Sequence, residues 1–260
     1  MNTEELRAVA ATYGTPTYIF DVREVEARIR LLRSLLPEDT GLCFAVKANP
    51  FLIPYVADLV DRLEVCSPGE YEICIQEQIA PEKIVVSGVN KTYESMKRIL
   101  SYSKGAGIYT IESEEHAKIL RTLAEKNQMP LSVLIRLSSG NQFGVDAETF
   151  FRLAKEIQES PYLTLAGVHY YAGTQKRQSK LEKELDTLTA FAKTFEEETG
   201  TVLKELEYGA GMKVSYFIND SEKDQRESEP EPQIQALAEK LRTCAYGKKT
   251  IELGRFLVSM

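Results

Sequence analysis

The chain has no tryptophan and only two histidines, His116 and His169, among its 260 residues. So few imidazoles exclude a histidine-rich metal centre and leave little base for a hydrolytic triad. The four cysteines, Cys43, Cys66, Cys74 and Cys244, lie in or beside apolar runs without a CxxC spacing. That suggests neither a zinc site nor a disulfide framework and reads as reduced core thiols. No run of about 18 apolar residues predicts a membrane span. The opening MNTEELRAVAATYG lacks the basic-then-apolar order of a secretory signal, so the expected compartment is cytoplasmic. A net charge of −7 with no basic stripe argues against nucleic acid as a partner.

What is present is an ordinary globular composition, 43% hydrophobic and 27% charged, long enough for one large core. Runs rich in β-branched and aromatic residues mark a leading strand at Thr17–Phe20 and eight more. These are Leu42–Val46, Leu63–Cys66, Ile84–Ser87, Gly107–Ile111, Val133–Leu137, Leu165–Tyr171, Leu206–Gly209 and Thr250–Glu252. Between them, apolar spacings of three and four predict helices over Ile53–Leu63, Glu70–Gln78, Tyr93–Leu100, Glu114–Lys126, Ala147–Glu159 and Lys180–Glu198. Ser67-Pro68-Gly69-Glu70 and Ser113-Glu114-Glu115 carry helix-start signals. The alternation predicts an α/β chain with a parallel sheet under helices, and eight units over about 215 residues fit a closed (β/α)8 TIM barrel. Residues 1–40 are expected to give a strand and a helix leading into a barrel of residues 41–260. The acidic run Asn219–Pro232 reads as a solvated loop.

Catalytic groups of such barrels sit at the carboxyl ends of strands. FAVKANP places Lys47 there. A lysine among apolar groups has a lowered amine pKa, which suits Schiff-base chemistry, and a lysine snorkelling to solvent fits the segment as well. Gly209-Ala210-Gly211 and Glu252-Leu253-Gly254-Arg255 follow the last two strands, the usual phosphate site of these barrels, where small residues admit backbone N–H groups and Arg255 offers a two-pronged contact. Taken singly, each of these glycines reads more readily as a plain turn. In GVHYYAGTQ, period two points His169 and Tyr171 the same way, either into the barrel mouth or into the core. Arg136 ends the fifth barrel strand as an anion ligand or as half of an ion pair at the core rim.

In order, FAVKANP, LEVCSPGE, IVVSGVNKT, NQFGVD, GVHYYAGTQ, EYGAGMKVSYF and IELGRFLV resemble the fold-type III pyridoxal-phosphate decarboxylases, the family of diaminopimelate, ornithine and arginine decarboxylases related to alanine racemase. The resemblance runs from about Pro16 to Val258. It implies pyridoxal 5'-phosphate as cofactor, Lys47 as its Schiff-base lysine, Glu252 beside the pyridine nitrogen, and Gly209, Gly211 and Arg255 at the phosphate, with Ala210 and Gly254 in the same two turns. Tyr171 takes the ring-stacking position. It and His169 join Lys47 as candidate catalytic side chains, and Arg136 joins the cofactor contacts.

The family carries a further β domain, which owns the leading strand and supplies a cysteine and a tyrosine across a dimer interface. The chain is expected to lack it, and hence to turn over weakly unless a homodimer or a partner chain supplies one. Tyr171 stands where the family has histidine, Gln142 where lysine is frequent, Leu253 for proline and Ala210 for the middle glycine. These departures resemble the branch acting on carrier-protein-bound glutamyl groups, so the substrate is a small amino acid or a carrier-bound aminoacyl group. A non-catalytic pyridoxal-phosphate-binding barrel and an amino-acid racemase are the competing functions.

Overall fold

The computed structural model describes residues 1–103, 107–217 and 219–259. Its eight strands are β1 (Thr40–Ala45), β2 (Arg62–Val65), β3 (Ile84–Val86), β4 (Ile108–Ile111), β5 (Leu131–Arg136), β6 (Leu163–Tyr171), β7 (Glu205–Gly209) and β8 (Lys248–Leu253). All pair in parallel and in sequence order, and β8 returns to β1 to close the barrel. The helices are α1 (Thr3–Tyr13), α2 (Val22–Leu35), α3 (Ile53–Val56), α4 (Pro68–Gln76), α5 (Tyr93–Ser103), α6 (Glu114–Asn127), α7 (Ala147–Gln158), α8 (Gln178–Thr199), α9 (Glu222–Glu227), α10 (Pro230–Thr243) and α11 (Arg255–Val258). The (β/α)8 barrel read from the alternation is therefore the fold. None of these helices is long and apolar enough to cross a membrane.

The sequence explains the helical layer locally. Asp21 accepts a hydrogen bond from the Arg23 amide at 3.1 Å and starts α2. Val25, Ile29 and Leu32 then fall on one buried face at spacings of four and three. Each such side chain contributes roughly 1.5–3 kcal/mol on full burial. Ser67 and Ser113 cap α4 and α6 as the sequence signals predict. Most of the core lies between strands and helices, while Cys43, Val85, Ile108 and Leu134, with Ala166 against them, form a small separate cluster.

Four expectations need correction. Thr17–Phe20 is not a strand: β1 is already paired on both sides, by β2 and β8, so the closed barrel offers no edge, and Tyr18 is fully exposed. Residues 1–40 hold two helices instead of a strand and a helix. The helix expected over Ile53–Leu63 shrinks to the single turn of α3, because the chain must turn back into β2 at Arg62. The acidic run is not all loop: Ser221 caps α9 by accepting from the Asp224 amide, and Pro230 opens α10. That last helix buries Ile234, Leu237, Ala238 and Leu241 beside α2 and α8.

Candidate active site

Register brings the predicted residues together. Gly209 lies beside Glu252, Tyr171 beside Gly209, and Arg136 beside His169, each pair on neighbouring strands. Lys47 follows β1 in a short 3-10 turn that ends where Asn49 caps the next turn at Pro50. Its ammonium donates to Glu64 Oε2 at 2.7 Å and Glu252 Oε1 at 3.4 Å, with Cys66 Sγ also at 3.4 Å. The side chain is still 43% exposed, because it stands where two cavities meet. One, of about 250 Å³, is lined by Ala48, Thr174, Gly211, Met212, Gly254 and Arg255. The other, of about 430 Å³, is lined by Cys66, Ser87, Glu112, Arg136, Phe143 and His169. Lys47, Tyr171 and Glu252 line both.

The charge state of Lys47 is the reverse of the expectation. Burial by itself would lower the amine, but the Glu252 and Glu64 carboxylates outweigh it and hold the ammonium well above its ordinary value. The two carboxyls separate. Burial would raise Glu252, yet the Lys47 charge and the hydrogen bond with His169 hold it well below the usual carboxylate range. For Glu64, burial and the neighbouring Glu252 charge prevail and push it up. Glu64 is thus the carboxyl that takes up a proton first as pH falls, and Glu252 the lasting anion.

His169 is 1% exposed, and its Nε2 sits 3.2 Å from Glu252 Oε2. Against an anionic acceptor that nitrogen donates. Its Nδ1 has no partner among the described residues. Tyr171 lies across the mouth with three cations near its ring centroid: Lys176 at 5.7 Å, Lys47 at 5.8 Å and Arg136 at 5.9 Å. Gly209 is required beneath that ring, since a Cβ there would come 2.5 Å from Tyr171 Cδ2. Arg136 donates to Glu112 Oε2 at 2.9 Å and faces the Phe143 ring at 5.2 Å, and it also lines the larger cavity.

Gly211 turns with φ +58°, and a Cβ on it would lie 2.0 Å from the Gly173 carbonyl oxygen. Only glycine fits such a position without strain. Arg255 reaches the first cavity from the start of α11 and contacts the Tyr216 hydroxyl. Ala210 is fully buried and its side chain belongs to the core, so it offers the site main chain alone. Glu64, Cys66, Thr174 and Lys176 went unassigned in the sequence. The one available signal was period two along β2, which aims Glu64 the same way as Arg62.

A scan against family models matches residues 22–259 to the pyridoxal-dependent decarboxylases, pyridoxal-binding domain. The chain belongs to this family. Its cofactor is accordingly pyridoxal phosphate. The domain is 32% identical over 235 residues to a diaminopimelate decarboxylase of Actinosynnema pretiosum, covering 83% of this chain and 52% of that one. It is 24% identical over 245 residues to an L-glutamyl acyl-carrier-protein decarboxylase of Niallia circulans, covering 86% and 56%. The chain thus spans about half the length of these curated relatives. A crystal structure of lysine/ornithine decarboxylase from Vibrio vulnificus superposes with a TM-score of 0.83 at 18% identity, covering 99% of this chain and 69% of that one, and shares the fold.

Glu64, His169 and Glu252 also place ligand-type atoms within 4.8 Å of one another. Lys47 Nζ, 2.7 Å from Glu64, already supplies the positive charge that such a set would seek in a metal ion.

Proposed function

We propose that this chain is the cofactor-bearing half of an amino-acid decarboxylase, with Lys47 as the residue that carries pyridoxal phosphate. The observation that carries the reading is a single amine, flanked by two buried carboxyls, at the junction of two cavities. One cavity takes the cofactor's phosphate and the other leaves room for a substrate.

The side chains present fit the group. Gly211, in a conformation that brings main chain close, together with Gly254 and Arg255, lines the cavity that would hold the phosphate. Glu252, kept anionic by Lys47 and His169, would hold a proton on the pyridine nitrogen, since an adjacent negative charge favours the protonated ring. When bound, the cofactor supplies an electron sink for the pair released as carbon dioxide leaves.

The remaining work belongs to the protein. Lys47 is held as an ammonium, so it must give up a proton before its nitrogen can act, and Glu64 Oε2 at 2.7 Å is the nearest acceptor. Glu64, already the more basic carboxyl, suits that role. Tyr171 presents a ring face at the cavity junction, with Arg136, tied to Glu112, beside it on the larger cavity.

Two substrate classes go with this reading: a free diamino acid, as named for the Actinosynnema relative, and a carrier-bound glutamyl group, as named for the Niallia relative. Borohydride trapping after incubation with pyridoxal phosphate, followed by peptide mapping, tests the site: a reduced adduct on Lys47 is expected. An adduct spread over surface lysines, or none, would remove the basis for the whole assignment. Carbon dioxide release from a glutamyl-loaded carrier against free diaminopimelate and ornithine then separates the substrates.

A further inference from the structure

Lys176 has so far appeared only as a cation beside the Tyr171 ring, and its side chain is completely buried. It follows the GTQ segment, and its ammonium donates to the Gly209 carbonyl at 2.9 Å and to Glu184 Oε2 at 2.8 Å. Its own main-chain N–H donates to the Gly211 carbonyl at 3.0 Å. One residue therefore anchors the carbonyls at both ends of the Gly209–Gly211 turn, one with its side chain and one with its backbone. Its Cε would sit 3.1 Å from a Cβ on Gly211, so the stem packs directly behind the turn.

That anchoring has a geometric consequence. A trans peptide is planar, with C=O and the following N–H on opposite sides. Pinning the Gly211 carbonyl toward Lys176 turns the Met212 N–H the other way, and Met212 lines the smaller cavity beside Gly211, Gly254 and Arg255. Donors aimed outward from a turn, backed by a buried cation, form a concavity for an anion, and the charge acts more strongly there than it would in water. Glu184 offsets that charge in part and is itself fixed by the Tyr208 hydroxyl, which donates to Glu184 Oε2 at 2.7 Å.

We propose that Lys176 is the positioning residue for phosphate recognition in this barrel, setting the Gly209–Gly211 turn and supplying positive charge from behind it, so that a phosphorylated pyridoxal-type ligand is selected over its unphosphorylated form. The inference deepens the cofactor reading above but does not depend on covalent chemistry at Lys47. The probes are accordingly pyridoxamine phosphate and pyridoxamine, which lack the aldehyde, titrated by fluorescence against the full chain.

The wild-type chain should bind the phosphorylated probe much more tightly. Lys176→Met should reduce the ratio of the two affinities about tenfold while leaving pyridoxamine binding within about twofold. A loss shared equally by both probes, an unchanged ratio, or a wild-type chain with no phosphate preference would overturn the proposal. Should Lys176→Met fail to fold, Glu184→Gln decides, because it removes the offsetting anion and keeps the anchor: a rise of a few-fold in the ratio supports the role, and no rise overturns it. Phosphate selectivity without a borohydride-trapped adduct on Lys47 would defeat the catalytic reading and leave this one standing.

Discussion

Each end of the barrel interior holds a cation between two buried carboxyls. At the carboxyl end Lys47 stands between Glu64 and Glu252; at the amino end Arg62 stands between Glu205 and Glu207. The difference lies in access and in the cation. Lys47 is 43% exposed and opens on two cavities, whereas Arg62 is 10% exposed and lines neither of them. An ammonium can lose its proton and act as a nucleophile, while a guanidinium stays charged and serves only to pair. The same cation-between-carboxyls arrangement thus gives a reactive end and a structural end.

The largest effect expected on this comparison is at the reactive end. Lys47→Ala should abolish the borohydride-trapped adduct while the far-ultraviolet circular dichroism of the folded chain stays close to wild type. Next comes the structural end: Arg62→Met leaves Glu207 buried without its cation and Glu205 with only the more exposed Lys248 at 3.5 Å, which costs on the order of 3–5 kcal/mol. Denaturant unfolding should show that loss, and the surviving folded fraction should still label at Lys47. If Arg62→Met were neutral in stability, the amino-end cluster would not be the brace it is taken for here.

Glu207 at one end and Glu252 at the other should also titrate in opposite senses. Burial pushes the Glu207 carboxyl up to about 7 despite Arg62. Between roughly pH 4.5 and 7 the native state then holds more protons than the unfolded chain, so this group's stability contribution is fully present below that window and is lost as pH rises through it. Glu252, held low, behaves the other way: its contribution is present above the ordinary carboxylate range and is lost as pH falls through its depressed value. Glu207→Gln should therefore flatten the stability curve between those pH values, by roughly 3 kcal/mol at most. The measurement is chemical unfolding at closely spaced pH; a wild-type and variant pair with parallel curves would contradict it.

This contrast also shows what the sequence could and could not disclose. Eight apolar runs alternating with helical spacings were enough for the barrel, because a closed parallel sheet demands them. Lys47, His169, Glu252, Gly211 and Arg255 could be read from their places at or just after strand ends, and the structure gathers them around two adjoining cavities. The protonation of Lys47 could not be read: its local neighbours are apolar, and the carboxyls that govern it are 17 and 205 residues away. Thr17–Phe20 misled because β propensity reports a fit to a pleated surface, and closure left no such surface free. The acidic run misled in the opposite sense, since composition concealed the Ser221 cap and the apolar face that begins at Ile234.

The smallest effect is expected at Tyr171, the expected ring-stacking position. The Tyr171 ring has three cations within 6 Å of its centroid, and a neutral π face attracts all of them. An imidazole placed there by Tyr171→His would become a fourth positive charge on protonation, and its neighbours would drive its pKa below the ordinary value of about 6.5. At neutral pH the variant should stack nearly as well, so cofactor affinity should change only a few-fold. As pH falls below about 6 the loss should grow, since the protonated ring is repelled by Lys47, Arg136 and Lys176. Tyr171→Phe, which keeps the π face and cannot ionise, should show no such pH dependence. Fluorescence titration of cofactor binding from pH 5 to 8 compares the three proteins. Parallel profiles for the histidine and phenylalanine variants would mean that the cations do not act through the ring, and that Tyr171 matters at the reactive end only for its shape.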